Sequence, residues 1–428
     1  MKTKVINKSY SEVIAIPRDK HEKPIKPNIF FRTLLKLVSL PDIIATGFSC
    51  KKIGMERLGK NEPAFFLMNH SCFLDLEIVP TVLYPRPFNI VATSDAFIGK
   101  AWLIKQIGCI KTNKFTTDMN LVRDMMHSVK KLNSSVVMYP EAGYSFDGRC
   151  VPMPDTLGKM AKMMGVPLCT IITYGAYARD PLYNNLQKRK VKVTAEVKYL
   201  LSAEEIKQMS PEEIQEIILK EFAFDNFSWQ KENKIPIKES FRADYINRIL
   251  YKCPACKAEG KMIGKGTEIR CPDCGKTYHM DEYGSLYARS GKTEFSSITD
   301  WYDWERSCVL DEIKQGEYSI DLPVEILMTI TDNKFYRIGD GRLRHDIDGF
   351  VLDGPDGLHY EHKPLCAHTV NSDFYFYQMG DMVSFGNNDH LFYCFPKTEG
   401  DIVCKIRFAA EEIYKIKKQS KTSPCTEK

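Results

Sequence analysis

Long apolar runs are missing from this sequence of 428 residues. No window reaches the roughly 18–20 uninterrupted apolar residues that a membrane-spanning helix needs. No N-terminal stretch has the apolar core and small-residue cleavage site of a secretory signal peptide. A spanning or secreted protein is therefore not expected, and the expected place is the cytoplasm, with peripheral or monotopic contact to a membrane. Charge of one sign is also in short supply, the formal net charge being +5. No base-stacking aromatic series or concentrated basic patch accompanies the metal-like motif described below, so nucleic acid is not an expected partner. Closely paired cysteines are few as well. Of the 14, only Cys253, Cys256, Cys271 and Cys274 are tightly spaced, which argues against a disulfide framework.

The length is enough for two or three domains with sizeable cores. Lysine and arginine are dense in the first sixty residues, among them Lys2, Lys4, Lys8, Arg18, Lys20, Lys23, Lys26, Arg32, Lys36, Lys51 and Lys52, which favours an anionic surface as partner. The segment from Asn28 to Phe48 is rich in Phe, Leu and Val but is interrupted by Arg32, Lys36, Pro41 and Asp42. That pattern fits an interfacial helix that lays one apolar face on a leaflet, assisted by nearby cations. An ordinary core-facing helix has the same signature.

The strongest chemical signal is Asn69-His70-Ser71-Cys72-Phe73-Leu74-Asp75, directly after the apolar segment Ala64-Phe65-Phe66-Leu67-Met68. Two residues five apart on a continuous helix point about 140° away from each other. His70 is therefore expected in the turn where a buried strand ends, with Asp75 in the first turn of the following helix, folded back onto the imidazole. Such a carboxylate fixes the ring tautomer and supports the imidazolium, leaving the other nitrogen free to take a proton from a hydroxyl. Taken alone, the spacing also fits a strand-end histidine satisfied by a nearby acid. Cys72, inside the motif, reads as a small packed residue rather than a nucleophile.

A second apolar strand, Val136-Val137-Met138-Tyr139, runs into Pro140-Glu141-Ala142-Gly143-Tyr144-Ser145. Together the two segments resemble the glycerolipid acyltransferase family, which includes the lysophosphatidate acyltransferases. That family carries a His-x-x-x-x-Asp motif followed by a Pro-Glu-Gly-Thr-Arg-Ser-like motif. Gly108 to Lys114 lies where the family has its acceptor-binding block, and Val166-Pro167 opens a strand as its fourth block does. The resemblance covers roughly residues 28–225.

The resemblance implies direct transfer of an acyl group from a thioester, acyl-CoA or acyl carrier protein, to a hydroxyl of a lysophospholipid or related glycerolipid. His70 is then the general base and Asp75 its orienting partner, with backbone N–H groups near the helix start or around Pro140 to Gly143 as oxyanion donors. One departure stands out: where the family has Gly-Thr-Arg after the glutamate, this chain has Ala142-Gly143-Tyr144, so the expected cation is absent. Lys111, Lys114 and Arg149 are the candidates to supply it, with Glu141 and Gly143 as further substrate-binding residues, although Glu141 also reads as a turn acid. The altered block leaves an alternative open, a catalytically altered lipid- or partner-binding scaffold.

Between these motifs helical and strand patterns alternate. Thr117 to Leu132 has apolar residues at helical spacing, Asp155 or Thr156 can cap a helix that Gly165 ends, and Ser202 and Ser210 open capping boxes. The expected fold class is α/β, with a mostly parallel sheet flanked by helices as in the glycerolipid acyltransferases. It occupies residues 1–240, including the interfacial helix, and Phe224 to Phe241 reads as a linker leading out of it.

Cys253-Pro254-Ala255-Cys256 and Cys271-Pro272-Asp273-Cys274 then form two Cys-x-x-Cys knuckles, the signature of a zinc ribbon at 246–289 with a closed, structural four-thiolate site. From about Ser290 to the end at 428, short strands and Asp/Gly-rich turns predict an antiparallel β domain closed by a helix at about Phe408 to Ile416, an arrangement reminiscent of PH-like barrels. The aspartates at 340, 346, 348, 353 and 356 do not match calcium-loop spacing and read as turn formers. His359, His362 and His368 read as strand-surface residues.

Overall fold

The computed structural model describes residues 4–116, 118–331 and 333–422. Its first strand, β1 (Val5–Asn7), pairs in parallel with residues 335–337, far away in the sequence. The next seven strands build one sheet: β2 (Ser49–Ile53), β3 (Phe65–Met68), β4 (Phe88–Thr93), β5 (Cys109–Thr112), β6 (Ser135–Met138), β7 (Leu168–Tyr174) and β8 (Thr194–Leu201). Their order is β2-β8-β7-β3-β6-β4-β5. The five strands from β7 to β5 are mutually parallel, β8 runs antiparallel to β7, and β2 lies parallel to β8.

All four residues of β3, and all four of β6, are buried, as expected for central parallel strands covered on both faces. Alternation along each strand divides the core. Phe66, Met68 and Val137 pack with Ile43, Leu74, Ile78 and Val82 from helices Ile29–Ala45 and Leu74–Leu83. Phe65, Leu67, Val136 and Met138 pack on the opposite face with Met125, Leu157, Ile214 and Ile218.

The helices on that second face follow most of their end signals, except that Thr156 stands at the start of Leu157–Met164 without a side-chain cap and the Asp155 carboxylate is taken by Lys418. Asp118 caps Met119–Lys130 by accepting the Asn120 N–H at 2.8 Å; Thr117, placed at this helix start from the sequence, lies outside the described residues. Leu157–Met164 ends on Gly165 at φ 61°, a left-handed cap that glycine adopts at low cost. The expected capping boxes at Ser202 and Ser210 are both formed, each serine accepting the N–H of the glutamate three residues on.

The four-cysteine segment folds as a small antiparallel sheet of β9 (Ile263–Lys265), β10 (Glu268–Arg270), β11 (Thr277–Met280) and β12 (Leu286–Ala288), in the order β12-β11-β10-β9. The C-terminal region contains β13 (Ile320–Ile330), β14 (Phe335–Asp346), β15 (Gly349–Asp353), β16 (His359–His362), β17 (Asn371–Phe376), β18 (Gly380–Gly386) and β19 (His390–Pro396). These strands are antiparallel in the order β16-β15-β14-β13-β19-β18-β17, with β1 added beside β14. A helix, Val403–Thr422, closes the region.

Several expectations need correction. The closing helix is longer than residues 408–416 because its apolar stripe, from Val403 to Ile413, continues N-terminally of the predicted start. The C-terminal region does not begin with strands: Ser297 caps the helix Ile298–Gln315, which buries Trp301, Tyr302, Val309 and Ile313 before Gly316 ends it at φ 74°. Residues 224–241 are not a free linker. They contain the helix Asn226–Glu232, with Phe227 and Gln230 buried and the Gln230 amide donating to Ile235 O and Glu282 O, both at 3.0 Å. His362 is buried rather than on the surface, tilted against Phe385, because its alternate position in β16 faces the core. His368 lies outside any strand, half-buried, with its ring against Pro152 O at 3.1 Å.

Candidate active site

The site lies where adjacent parallel strands β3 and β6 end. Both pass directly into polar turns, the place where open α/β sheets present side chains to ligands. His70 follows β3 by two residues and stands outside the helix; Asp75 sits in the first turn of Leu74–Leu83. One Asp75 oxygen is 3.2 Å from His70 Nδ1 and also accepts the backbone N–H of Ser71 at 2.6 Å and of Cys72 at 3.0 Å. Its other oxygen accepts the Thr173 hydroxyl at 3.2 Å. Because the carboxylate only accepts, Nδ1 carries the proton and Nε2 presents a free lone pair.

Asn69 locks the same turn to β7. Its side chain accepts the Thr173 N–H at 2.8 Å and donates to Thr173 O at 3.1 Å.

The imidazole is held between rings. Tyr139 stacks on it at 4.0 Å between centroids and Tyr144 meets it edge-on at 4.5 Å. The His70 side chain keeps 15% of its surface open, whereas Asp75 has none. Burial pulls the His70 pKa below its ordinary value of 6.5, and the hydrogen bond and charge of Asp75 oppose that pull. A neutral imidazole with an unprotonated Nε2 is therefore the resting form at neutral pH.

Cys72 is fully buried, and burial pushes its thiol well above the ordinary range, with the Asp75 and Asp180 charges adding to the effect. That environment opposes a thiolate nucleophile.

The other candidates fall in different places. Glu141 is buried, which raises its pKa well above the carboxylate range, with the backbone of His70 and Val151 opposing the rise. The turn that carries Glu141 is tied to the histidine turn by Ser145 N–H donating to His70 O at 3.1 Å. Gly143 borders open space: a Cβ built on it meets no atom within 4 Å. Lys114 lies within Coulombic reach of His70.

Lys111 and Arg149 are not brought to His70. Lys111 donates to Thr331 O at 3.0 Å and to Asn333 Oδ1 at 2.6 Å, joining the first sheet to the C-terminal region. Arg149 is clamped between Asp147 and Asp303, with a two-pronged contact to the latter at 2.8 and 2.6 Å, so its charge is already met. Sequence reasoning missed the aromatic walls, although Tyr144 stands where the resembled family has arginine. It also missed Thr173, which no local pattern marks.

Residues 49–174 match the family model described as Acyltransferase. This region of the chain is an acyltransferase domain. The match spans β2 to β7 and includes both turns of the site. Among solved structures, the chain is similar to the 1-acyl-sn-glycerophosphate acyltransferase PlsC from Thermotoga maritima at 15% identity and a TM-score of 0.39, over 48% of this chain and 80% of that one. A search of curated proteins returned no match.

The second candidate site lies outside the acyltransferase domain. The ligand atoms of Cys253, Cys256, Cys271 and Cys274 all lie within 4.8 Å of one another. Sγ of Cys253 is 3.8 Å from that of Cys274, and Sγ of Cys256 is 3.7 Å from that of Cys271. Four thiolates about 2.3 Å from a zinc ion at the centre of a tetrahedron stand about 3.8 Å apart. The donor set and its spacing therefore fit a four-coordinate metal with no open position.

Proposed function

We propose that the protein is an O-acyltransferase that moves a fatty acyl group from acyl-CoA or acyl carrier protein to a hydroxyl of a lysophospholipid or related glycerolipid, in phospholipid biosynthesis at a membrane surface. The observation that carries this reading is His70 Nδ1 held 3.2 Å from a fully buried Asp75 inside the acyltransferase domain. Nε2 of His70 takes the proton of the acceptor hydroxyl as its oxygen attacks the thioester carbonyl. The tetrahedral intermediate collapses, the C–S bond breaks, and the departing thiolate recovers the proton from the imidazolium, which Asp75 stabilises meanwhile. No acyl-enzyme forms, in keeping with the buried, protonated Cys72.

Membrane docking is supported by helix Ile29–Ala45, which leaves Phe30 and Val38 each 65% exposed, and by Trp102, 67% exposed on the neighbouring helix Ala101–Gln106. Phe31 joins the two helices through an edge contact with Trp102 at 6.0 Å. Among the described residues no helix is long and apolar enough to cross a membrane, so the reading is surface docking of an amphipathic face. The four cysteines hold one structural zinc ion, whose binding supplies folding free energy to its own region.

The test is acyl transfer by the purified full chain from a labelled thioester to mixed lysolipids, with products identified by mass spectrometry. His70→Ala is expected to lower the rate by roughly 10²–10⁴-fold, the usual contribution of general base catalysis, with the fold retained by circular dichroism. Full activity in that variant defeats the mechanism. Thioester binding by the unaltered protein without turnover points instead to a lipid- or partner-binding scaffold.

A further inference from the structure

A cavity of about 790 Å³ runs along β5, the edge strand of the acyltransferase sheet. Three parts of the chain wall it: the extended segment 18–24, helix Ala101–Gln106 with β5 itself, and the turns of the C-terminal sheet around Thr331 and Asp389. Contacts across it fix its shape. Asn113 Nδ2 donates to Asn387 O at 3.0 Å and to Asn388 O at 3.2 Å. The extended segment is pinned on both sides: Asp19 N–H donates to Thr331 Oγ1 at 2.9 Å, His21 Nε2 stands 3.2 Å from an Asp124 oxygen, and Glu22 pairs with Lys105 at 2.5 Å.

Between these anchors stand cations with no partner. Arg18, Lys20 and Lys23 line the cavity, keep exposed side chains and form no ion pair or hydrogen bond with any described residue. Most acids of the lining are already engaged: Glu22 and Asp124 by the pairs above, and Asp118 by the Asn120 N–H at 2.8 Å. Asp19 and Asp389 alone remain to face the three cations, so the uncommitted charge of the lining is positive. A volume within the roughly 300–1,000 Å³ of small-molecule sites, with surplus cations, suits a ligand that carries several phosphate charges.

Strand register relates this cavity to His70. Cys109, on the cavity wall, shares one row with Ile90, Val137 and Phe66 across β5, β4, β6 and β3. Three strand spacings separate the ends of that row, about 14 Å. Because these strands are parallel, Asn113 on the cavity wall and His70 both stand past the same end of the sheet. On the functional reading above, we infer that the cavity holds the 3′-phosphoadenosine 5′-diphosphate half of acyl-CoA, and that the enzyme takes its acyl group from CoA rather than from a carrier protein. The phosphates meet Arg18, Lys20 and Lys23. The extended pantetheine arm, equivalent to about four residues of chain, covers the distance to the carbonyl at His70. A carrier protein offers one phosphodiester on a serine of its own folded surface, which does not enter a cavity walled from both sides and leaves the surplus cations unmet. All three cations lie outside residues 49–174, so donor recognition belongs to a segment added to the acyltransferase domain.

The experiment measures kcat/KM of the full chain for acyl-CoA, acyl-4′-phosphopantetheine and acyl carrier protein with mixed lysolipids as acceptor, alongside calorimetric binding of adenosine 3′,5′-bisphosphate. Acyl-CoA is expected to be preferred, and the bisphosphate to bind and to compete with it. Lys20→Ala with Lys23→Ala is expected to lower kcat/KM for acyl-CoA by roughly 10- to 100-fold, as for lost charge-assisted contacts, mainly through KM. The same variant is expected to weaken bisphosphate binding in step while sparing the phosphopantetheine donor, and Lys20→Arg with Lys23→Arg to restore most of the loss. Equal kcat/KM for the full and truncated donors, preference for the carrier protein, or an equal loss on both small donors in the alanine variant overturns the inference while leaving acyl transfer standing. Unchanged bisphosphate binding in an alanine variant that has lost affinity for anionic vesicles assigns the cations to the membrane and overturns it as well. Absence of transfer from every thioester overturns the functional reading itself, and this inference with it.

Discussion

His70 lies in a narrow slot, with Tyr139 stacked on one face, Tyr144 edge-on and Asp75 fixing Nδ1. The pH dependence follows from that environment. The imidazole acts while neutral, and burial lowers its pKa from 6.5, so protonation sets in only at more acidic pH than for a free histidine. The acidic limb of kcat/KM is therefore expected below pH 6.5, with a plateau through neutrality; an acidic limb centred above that value contradicts the assignment. Asp75→Asn removes the charge that opposes the downward pull, so the limb is expected to move further toward acid while kcat falls. At this scale the sequence marked His70 and Asp75 through their spacing after an apolar strand. It left Arg149 and Lys111 indistinguishable from Lys114, because what commits the first two, Asp303 and Asn333, lies 154 and 222 residues away.

At the scale of single elements, the helices were legible where end signals and period agree. Leu157–Met164 and Pro211–Glu221 cross so closely at Gly158 that an added Cβ would stand 2.0 Å from Pro211 O. Gly158→Ala must push the helices apart and is expected to lower stability by about 1–3 kcal/mol, read as a shift of the chemical denaturation midpoint with unchanged slope. An unshifted midpoint would show that this crossing yields freely. The helix Ile29–Ala45 makes a different prediction. Placing acids on its exposed face, as in Phe30→Glu with Val38→Glu, is expected to reduce sedimentation with anionic vesicles several-fold without altering the circular dichroism spectrum. Retained vesicle binding would assign that face another role. The helix Ile298–Gln315 escaped the sequence because its aromatic residues, Trp301, Tyr302 and Trp304, resemble the strand-forming runs that follow it.

Across the whole molecule, the cysteine-bearing sheet does not stand apart. One continuous cluster of buried side chains joins Phe146 and Tyr177 near the acyltransferase site, Tyr278 beside the cysteines, and Val324, Phe392 and Ile413 of the C-terminal region. Trp301 donates to Lys252 O at 3.0 Å, directly before Cys253, and meets Tyr278 edge-on at 5.0 Å. Cys253→Ser is expected to lose the one equivalent of zinc measured by atomic absorption and to lower the unfolding midpoint seen by tryptophan fluorescence, since metal-binding free energy is folding free energy in such sites. Unchanged zinc content would refute the four-thiolate site.

What the sequence determined by itself is local. Apolar runs set buried strands, serine, aspartate and glycine mark helix ends, and paired Cys-x-x-Cys knuckles gather four thiols, because each of these depends on neighbours a few residues away. The tertiary structure alone decided which charges meet. It neutralised Arg149, tied Lys111 to the C-terminal region, buried His362 and packed Phe374 of a remote strand on Phe146. Coulombic and hydrogen-bond partners are fixed by distance in space, and folding sets that distance with little regard to separation along the chain.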